Sequence, residues 1–265
     1  DCPFASIPKP APDPTAVPNR NRIGDIESIR QYFAACTGVD RAVQRILDRL
    51  DDLDLSRRTL VIFTSDQGFC LGHHGVWGKG NGTNPRNMFD PSIRIPLIFR
   101  QPGRINPETT IDAFVSTYDF LPTILDYLGL PPSPGRNLPG RSFAPMLHGE
   151  PVADWPDAVF AEYGHTRMIR TNEWKYVHRA DGGPHELYNL MQDPDEANNL
   201  AHDPAHRDTL LALRGRLFEW FAKYVEAGAD PIGHEYLPPA ERPKPRKQPS
   251  DRRKQPGRRT RRGVR

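Results

Sequence analysis

From residue 26 to residue 50 the apolar side chains recur at every third and fourth position: Ile26, Ile29, Phe33, Cys36, Val39, Val43, Ile46, Leu47 and Leu50. That spacing predicts a helix from about Asp25 to Leu50 with one buried face. A polar turn over residues 51–58 follows. The pattern then becomes the continuous run Leu60-Val61-Ile62-Phe63-Thr64, β-branched and aromatic, which predicts a short buried parallel strand. Residues 66–95 lose all periodicity and are rich in Gly and Asn. A loop of that length is functional or disordered. Pro96-Leu97-Ile98-Phe99 predicts a second strand. Tyr118 to Leu128 predicts a helix, stopped by Gly129 and followed by Pro131 and Pro132.

Near residue 155 the pattern shortens. Residues 159–163, 167–171, 174–178 and 186–188 read as strands of a small antiparallel sheet. Residues 205–225 read as an amphipathic helix with Leu210, Leu213, Leu217, Trp220, Phe221 and Tyr224 on its apolar face. Four segments result: a Pro-rich extended stretch over 1–24, an α/β region over 25–154, a sheet-plus-helix region over 155–228, and a Pro/Arg/Lys-rich tail over 229–265. The tail has too few apolar side chains to build a core and is predicted disordered.

Charge sharpens this division. The 265 residues carry a net charge of +3. Residues 241–265 hold 12 Lys and Arg against 2 Asp and Glu, a balance of +10, which leaves −7 on the first 240 residues. An acidic body with a basic tail does not suggest a nucleic-acid binder, although the tail alone is a candidate for anionic partners. The cysteines Cys2, Cys36 and Cys70 are too few and too scattered for a disulfide framework or a zinc cluster. No run of 18 apolar residues predicts a membrane span. No signal peptide is visible, which slightly favours the cytoplasm and leaves the compartment otherwise unread.

The candidate chemistry lies between Leu60 and Pro96. Ser65-Asp66-Gln67-Gly68 ends the first strand, and in open α/β sheets ligands bind at that edge. Asp66 and Gln67 are hard oxygen donors for a divalent cation. Lys79, between Gly78 and Gly80, is a point charge suited to an anion. A metal and a lysine around an oxyanion suit hydrolysis of a sulfate or phosphate ester. His73 and His74 are neighbours that cannot both face one site. One of them is expected to structure the loop, and His74 is the better acid–base candidate. Asn81 and Asn87 are expected to satisfy loop backbone, and Asp90 with Arg94 to pair and brace it. His165, His178 and His185 are candidates for lining a substrate pocket, with ordinary sheet surface the favoured expectation.

Taken in order, these pieces resemble the sulfatase family of the alkaline-phosphatase-like superfamily. The resemblance runs through Ser65-Asp66-Gln67-Gly68, Leu71-Gly72-His73-His74-Gly75, Gly78-Lys79-Gly80 and Arg94-Ile95-Pro96-Leu97-Ile98. It continues through Asp119-Phe120-Leu121-Pro122-Thr123, Leu138-Pro139-Gly140-Arg141-Ser142, Trp174-Lys175-Tyr176 and Glu186-Leu187-Tyr188-Asn189-Leu190, covering roughly residues 25–225. It implies an α/β alkaline-phosphatase-like sandwich, here N-terminally truncated, with a small C-terminal antiparallel sheet plus helix. It implies Asp66 and Gln67 as metal ligands, Lys79 as the sulfate-binding and catalytic lysine, and a sulfate-ester small molecule or glycan as substrate. The implied cofactor is a divalent cation, Ca²⁺ in the first place, with Mg²⁺ or Mn²⁺ as alternatives.

The family's Cys-x-Pro-x-Arg motif, the source of its formylglycine nucleophile, is absent. So are the N-terminal aspartate pair and the upstream lysine and histidines. The chain therefore looks like the C-terminal half of a sulfatase. One carboxylate and one amide fall short of the ~6–8 ligands that Ca²⁺ takes, and exposed apolar edges are expected unless a second polypeptide covers them. A phosphate or phosphonate ester hydrolase of the same fold, and a non-catalytic remnant or interaction module, are the alternative readings.

Overall fold

The computed structural model describes residues 19–132, 135, 137–180, 183–225, 230 and 232. Most of the Pro-rich stretch and almost all of the basic tail lie outside these residues. So does part of the Gly182-Gly183 turn.

Helix α1 (Ile26–Asp52) begins at Asp25, whose carboxylate accepts the Ser28 N–H at 2.8 Å, a side-chain cap on an otherwise unpaired donor. The helix forms where its periodicity predicts, but its apolar face is not buried. Only Ile29 is buried, while Ile26, Phe33, Val39 and Ile46 are 38–58% exposed. Near its start, Tyr32 stacks on Phe69 at 5.6 Å; further along, Cys36, Val39 and Ile46 are exposed while Val43, Leu47 and Leu50 are half-buried.

Strand β1 (Val61–Thr64) pairs with a later strand, Leu97–Arg100, in a two-stranded antiparallel ribbon with Val61 opposite Arg100 and Thr64 opposite Leu97. The expectation of a buried parallel strand is therefore corrected. Period-two alternation sends Leu97 and Phe99 into a cluster with Tyr127, Phe143, Ala144 and Leu147, and leaves Ile98 57% exposed. A strand covered on one face is half-buried, and a contiguous apolar run does not reveal which face stays open.

The long loop between these strands is ordered. It contains a hairpin of β2 (Cys70–Leu71) and β3 (Trp77–Gly78), with Cys70 opposite Gly78. A short helix, α2 (Asp90–Ile93), precedes the second ribbon strand, β4 (Leu97–Arg100). Next come α3 (Phe120–Tyr127), entered through a capping box between Ser116 and Asp119, and α4 (Ala144–Leu147).

Strands β5 (Ala158–Tyr163), β6 (Thr166–Thr171), β7 (Trp174–Arg179) and β8 (Glu186–Asn189) form an antiparallel meander in sequence order. Both faces are covered. Ile169, Tyr176 and Leu187 pack on Leu213, Leu217 and Phe221 of α5 (Arg207–Tyr224). On the other face Met168 and Val177 meet Met88, and Tyr188 meets Phe89. The ordered loop is thus the sheet's second cover. No helix among the described residues is long and apolar enough to cross a membrane.

Candidate functional site

The turn that ends β1 is pinned from two sides. The Ser65 hydroxyl donates to the Gln67 carbonyl at 2.9 Å, and the Gly68 N–H donates to the Ser92 carbonyl at 3.0 Å. Backbone approaches so closely here that a Cβ on Gly68 would stand 2.2 Å from the Pro91 carbonyl oxygen. Only glycine fits. Asp66 beside it is exposed and Gln67 half-buried. Among the described residues no group of three His, Cys, Asp or Glu side chains converges as a metal site. Two oxygen donors do not make a site for a hard divalent ion. The residues present therefore do not fit a bound cation by themselves.

The β2–β3 hairpin carries the next candidates. His73 Nδ1 accepts the Leu71 N–H at 3.2 Å, so His73 structures the loop. His74 adopts a left-handed backbone (φ 55°) and lies flat on Phe89, ring centroids 3.6 Å apart and 5° from parallel. Burial, then the neighbouring His73 and Lys175, push its imidazole down to about 4. It is neutral at pH 7, and its ring is occupied in packing.

Lys79 follows directly on β3. It lines an open cleft of about 580 Å³ with Arg22, Phe69, Trp77, Gly78 and Asn81. Phe69 and Trp77 meet edge to face at 5.9 Å. The cleft therefore joins two cations to an aromatic wall. No carboxylate among the described residues pairs with Lys79. Asp66, Gln67 and His74 are not part of the cleft lining, so the three groups predicted to act with Lys79 do not surround it.

Asn87 does satisfy loop backbone. Its side-chain amide donates to the Lys79 carbonyl at 3.3 Å and to the Thr83 hydroxyl at 3.2 Å. The expected Asp90–Arg94 pair is corrected. Arg94 gives Asp90 only a backbone hydrogen bond, and the Asp90 carboxylate instead binds Arg170 at 3.0 Å and Lys175. Lys175 is fully buried and also binds Glu196 at 2.5 Å.

Sequence reading missed this cluster. A signal was present, because Lys175 sits at the same strand parity as the apolar Val177 and so occupies an inward position. His178 is also corrected: it is buried, accepts or donates to the Tyr176 hydroxyl at 3.1 Å, and stacks on His185 at 4.6 Å. It lies on the face that α5 covers, with the Phe218 ring edge-on at 4.9 Å. His165 is exposed in a turn, as expected.

No nucleophile emerges from the described cysteines. Cys70 is buried 3.2 Å from the Ser92 hydroxyl, and burial pushes its thiol up, away from the reactive thiolate. Cys36 is exposed on α1.

A family model described as N-sulphoglucosamine sulphohydrolase, C-terminal, matches residues 72–223, and one described as Sulfatase matches residues 4–130. An N-acetylglucosamine-6-O-sulfatase of Bacteroides thetaiotaomicron is 35% identical over 185 residues, which are 65% of this chain and 32% of that protein. A structure solved in complex with its substrate D-glucosamine-2-N,6-O-disulfate superposes with a TM-score of 0.68 at 30% identity, over 77% of this chain and 42% of that one. The phosphonate monoester hydrolase of Agrobacterium radiobacter superposes with a TM-score of 0.66 at 30% identity, over 76% and 43%. The chain spans about a third of the length of the curated relatives it matches.

Proposed function

The chain belongs to the sulfatase family, within the alkaline-phosphatase-like superfamily, and from that premise we propose that it supplies the anion-binding wall of a sulfuric ester hydrolase whose substrate is a sulfated sugar. The observation that carries this reading is Lys79 on the cleft, free of any carboxylate partner among the described residues and set beside Trp77 and Phe69. Its ammonium is a donor for non-bridging sulfate oxygens, where negative charge must be held as the ester bond breaks. Phe69 and Trp77, packed edge to face, offer apolar surface beside the ammonium on which the face of a sugar ring can rest. The nucleophile comes from outside the described residues. Ca²⁺ is the favoured cation, with Mg²⁺ or Mn²⁺ as alternatives. Asp66 and Gln67 would give it two oxygen donors, in a set that these residues leave incomplete. His74, neutral and stacked, is proposed to hold the loop rather than to transfer a proton.

Trp77 makes the reading testable by fluorescence. Titration with glucosamine 6-sulfate should change the emission, and Trp77→Phe should remove that change. Loss of one charge-assisted hydrogen bond costs about 1.5–3 kcal/mol, so Lys79→Ala should weaken binding roughly 10- to 100-fold. Unsulfated glucosamine should not compete. Equal affinity in Lys79→Ala, or equal binding of the unsulfated sugar, would overturn the proposal. A second reading, hydrolysis of phosphonate monoesters, is favoured by the Agrobacterium neighbour. Tighter Lys79-dependent binding of a phenyl phosphonate monoester than of a phenyl sulfate would select it.

A further inference from the structure

On β7, alternation puts Lys175 and Val177 on the loop side of the sheet and Tyr176 on the α5 side. Lys175 is fully buried. A buried ammonium needs all three of its N–H donors matched, and three acceptors meet it: the Met88 carbonyl at 3.0 Å, Glu196 Oε1 at 2.5 Å and Asp90 Oδ1. The second Glu196 oxygen accepts the Asp90 N–H at 2.6 Å. Residues 88–90 are therefore clamped to the sheet through both backbone and side chain.

One residue earlier the clamp becomes a grip on Lys79. The Asn87 N–H donates to the Gly80 carbonyl at 2.9 Å, and its side-chain amide donates to the Lys79 carbonyl at 3.3 Å. There is no slack at Gly80, where a Cβ would stand 3.2 Å from the Asn87 carbonyl oxygen and 3.0 Å from the Tyr163 ring. The chain of contacts is continuous, from Lys175 to Met88, through Asn87 to Lys79. The geometry points to Lys175 and Asn87 as positioning residues for Lys79: the C-terminal sheet, through one buried lysine, fixes the backbone from which the cleft's ammonium projects. This inference rests on the reading of Lys79 as the anion-binding group.

The test is a double-mutant cycle on the full chain, with affinity for glucosamine 6-sulfate read from Trp77 emission and the folded fraction checked by circular dichroism. Lys175→Met should weaken binding about tenfold where Lys79 is present, and less than about twofold in a Lys79→Ala background, because coupled residues are non-additive. A merely structural loss would be the same in both backgrounds. Asn87→Ala is the milder variant, used where Lys175→Met does not fold. It removes two donors together with a buried Asn87 Oδ1 that has no partner, and it should show the same dependence on Lys79. Equal losses in the two backgrounds, or unchanged affinity in folded Lys175→Met and Asn87→Ala, would overturn the inference and leave the role of Lys79 standing. Unchanged affinity in Lys79→Ala itself would instead sink the role of Lys79.

Discussion

Replacing Lys175 by Met should destabilise the fold by an amount that depends on pH. Met keeps the aliphatic stem and deletes the charge. Asp90 retains Arg170 at 3.0 Å. Among the described residues, Glu196 loses its one ion-pair partner and keeps only the Asp90 N–H. Burial already holds Glu196 above its ordinary 4.5, with Lys175 opposing. Without Lys175 that opposition is gone, and the carboxyl escapes by taking up a proton. Protonating an ordinary carboxyl costs about 3.4 kcal/mol at pH 7 and about 0.7 kcal/mol at pH 5. These figures cap the Glu196 share of the loss, and the upper one falls within the roughly 3–5 kcal/mol expected when one partner of a buried pair is removed.

The sign follows from proton binding. In the variant the folded state binds a proton that the unfolded state has released. Stability is therefore present below the unfolded pKa and is lost as pH rises through the raised folded one. Urea unfolding of wild type and Lys175→Met at pH 7 and pH 5 should show a difference at pH 7 that shrinks by about 2–3 kcal/mol at pH 5. Equal differences at the two pH values would refute the assignment of Glu196 as the stranded charge.

Three further outcomes are expected. Gly68→Ala should cost about 2 kcal/mol or more, since its Cβ would meet the Pro91 and Arg94 carbonyl oxygens at 2.2 and 2.7 Å; a thermal midpoint within a degree of wild type would contradict the close approach. Burial, then Arg214 and Arg167, hold His178 down to about 4 from 6.5, so the unfolded chain binds that proton first and stability is lost as pH falls through this window. His178→Gln should flatten the profile there by on the order of 2–3 kcal/mol, and an unchanged slope between pH 7 and pH 4 would count against it. On α1, Phe33→Asp with Ile46→Asp should move stability by about 0.5 kcal/mol or less, because both side chains are exposed, and should lower self-association in light scattering; a large loss of stability would mean that the stripe is covered.

What the sequence made legible is what is local. The 3.6-residue period located α1, and short strand-length runs separated by turns located the four strands of the meander. The flanking glycines singled out Lys79, which the structure places on a cleft. What stayed hidden depends on what each face meets. The stripe of α1 has the same period whether or not anything lies against it. The run at Leu60 read as doubly buried, yet its partner β4 returns antiparallel and leaves one face of the ribbon open. The Asp90–Arg94 pairing was inferred from nearness in sequence. The true partners stand 80 and 85 residues away, a separation that no local pattern encodes.

The loop shows why that distance matters. Between residues 66 and 95 there is almost no regular structure to supply cooperative hydrogen bonds, so ordering must come from outside the segment. It comes from the meander, in three forms: Met88 in the Met168–Val177 cluster, Phe89 against Tyr188, and the buried Lys175 bridging the Met88 carbonyl, Asp90 and Glu196. The apolar contacts are non-directional and would tolerate a shifted loop. The lysine does not, because each of its three donors has an assigned acceptor, and displacing the loop strands a charge with no water to receive it. Packing thus holds the loop on the sheet, while the ion cluster selects one register of it. That register is the one in which Asn87 reaches the carbonyl of Lys79.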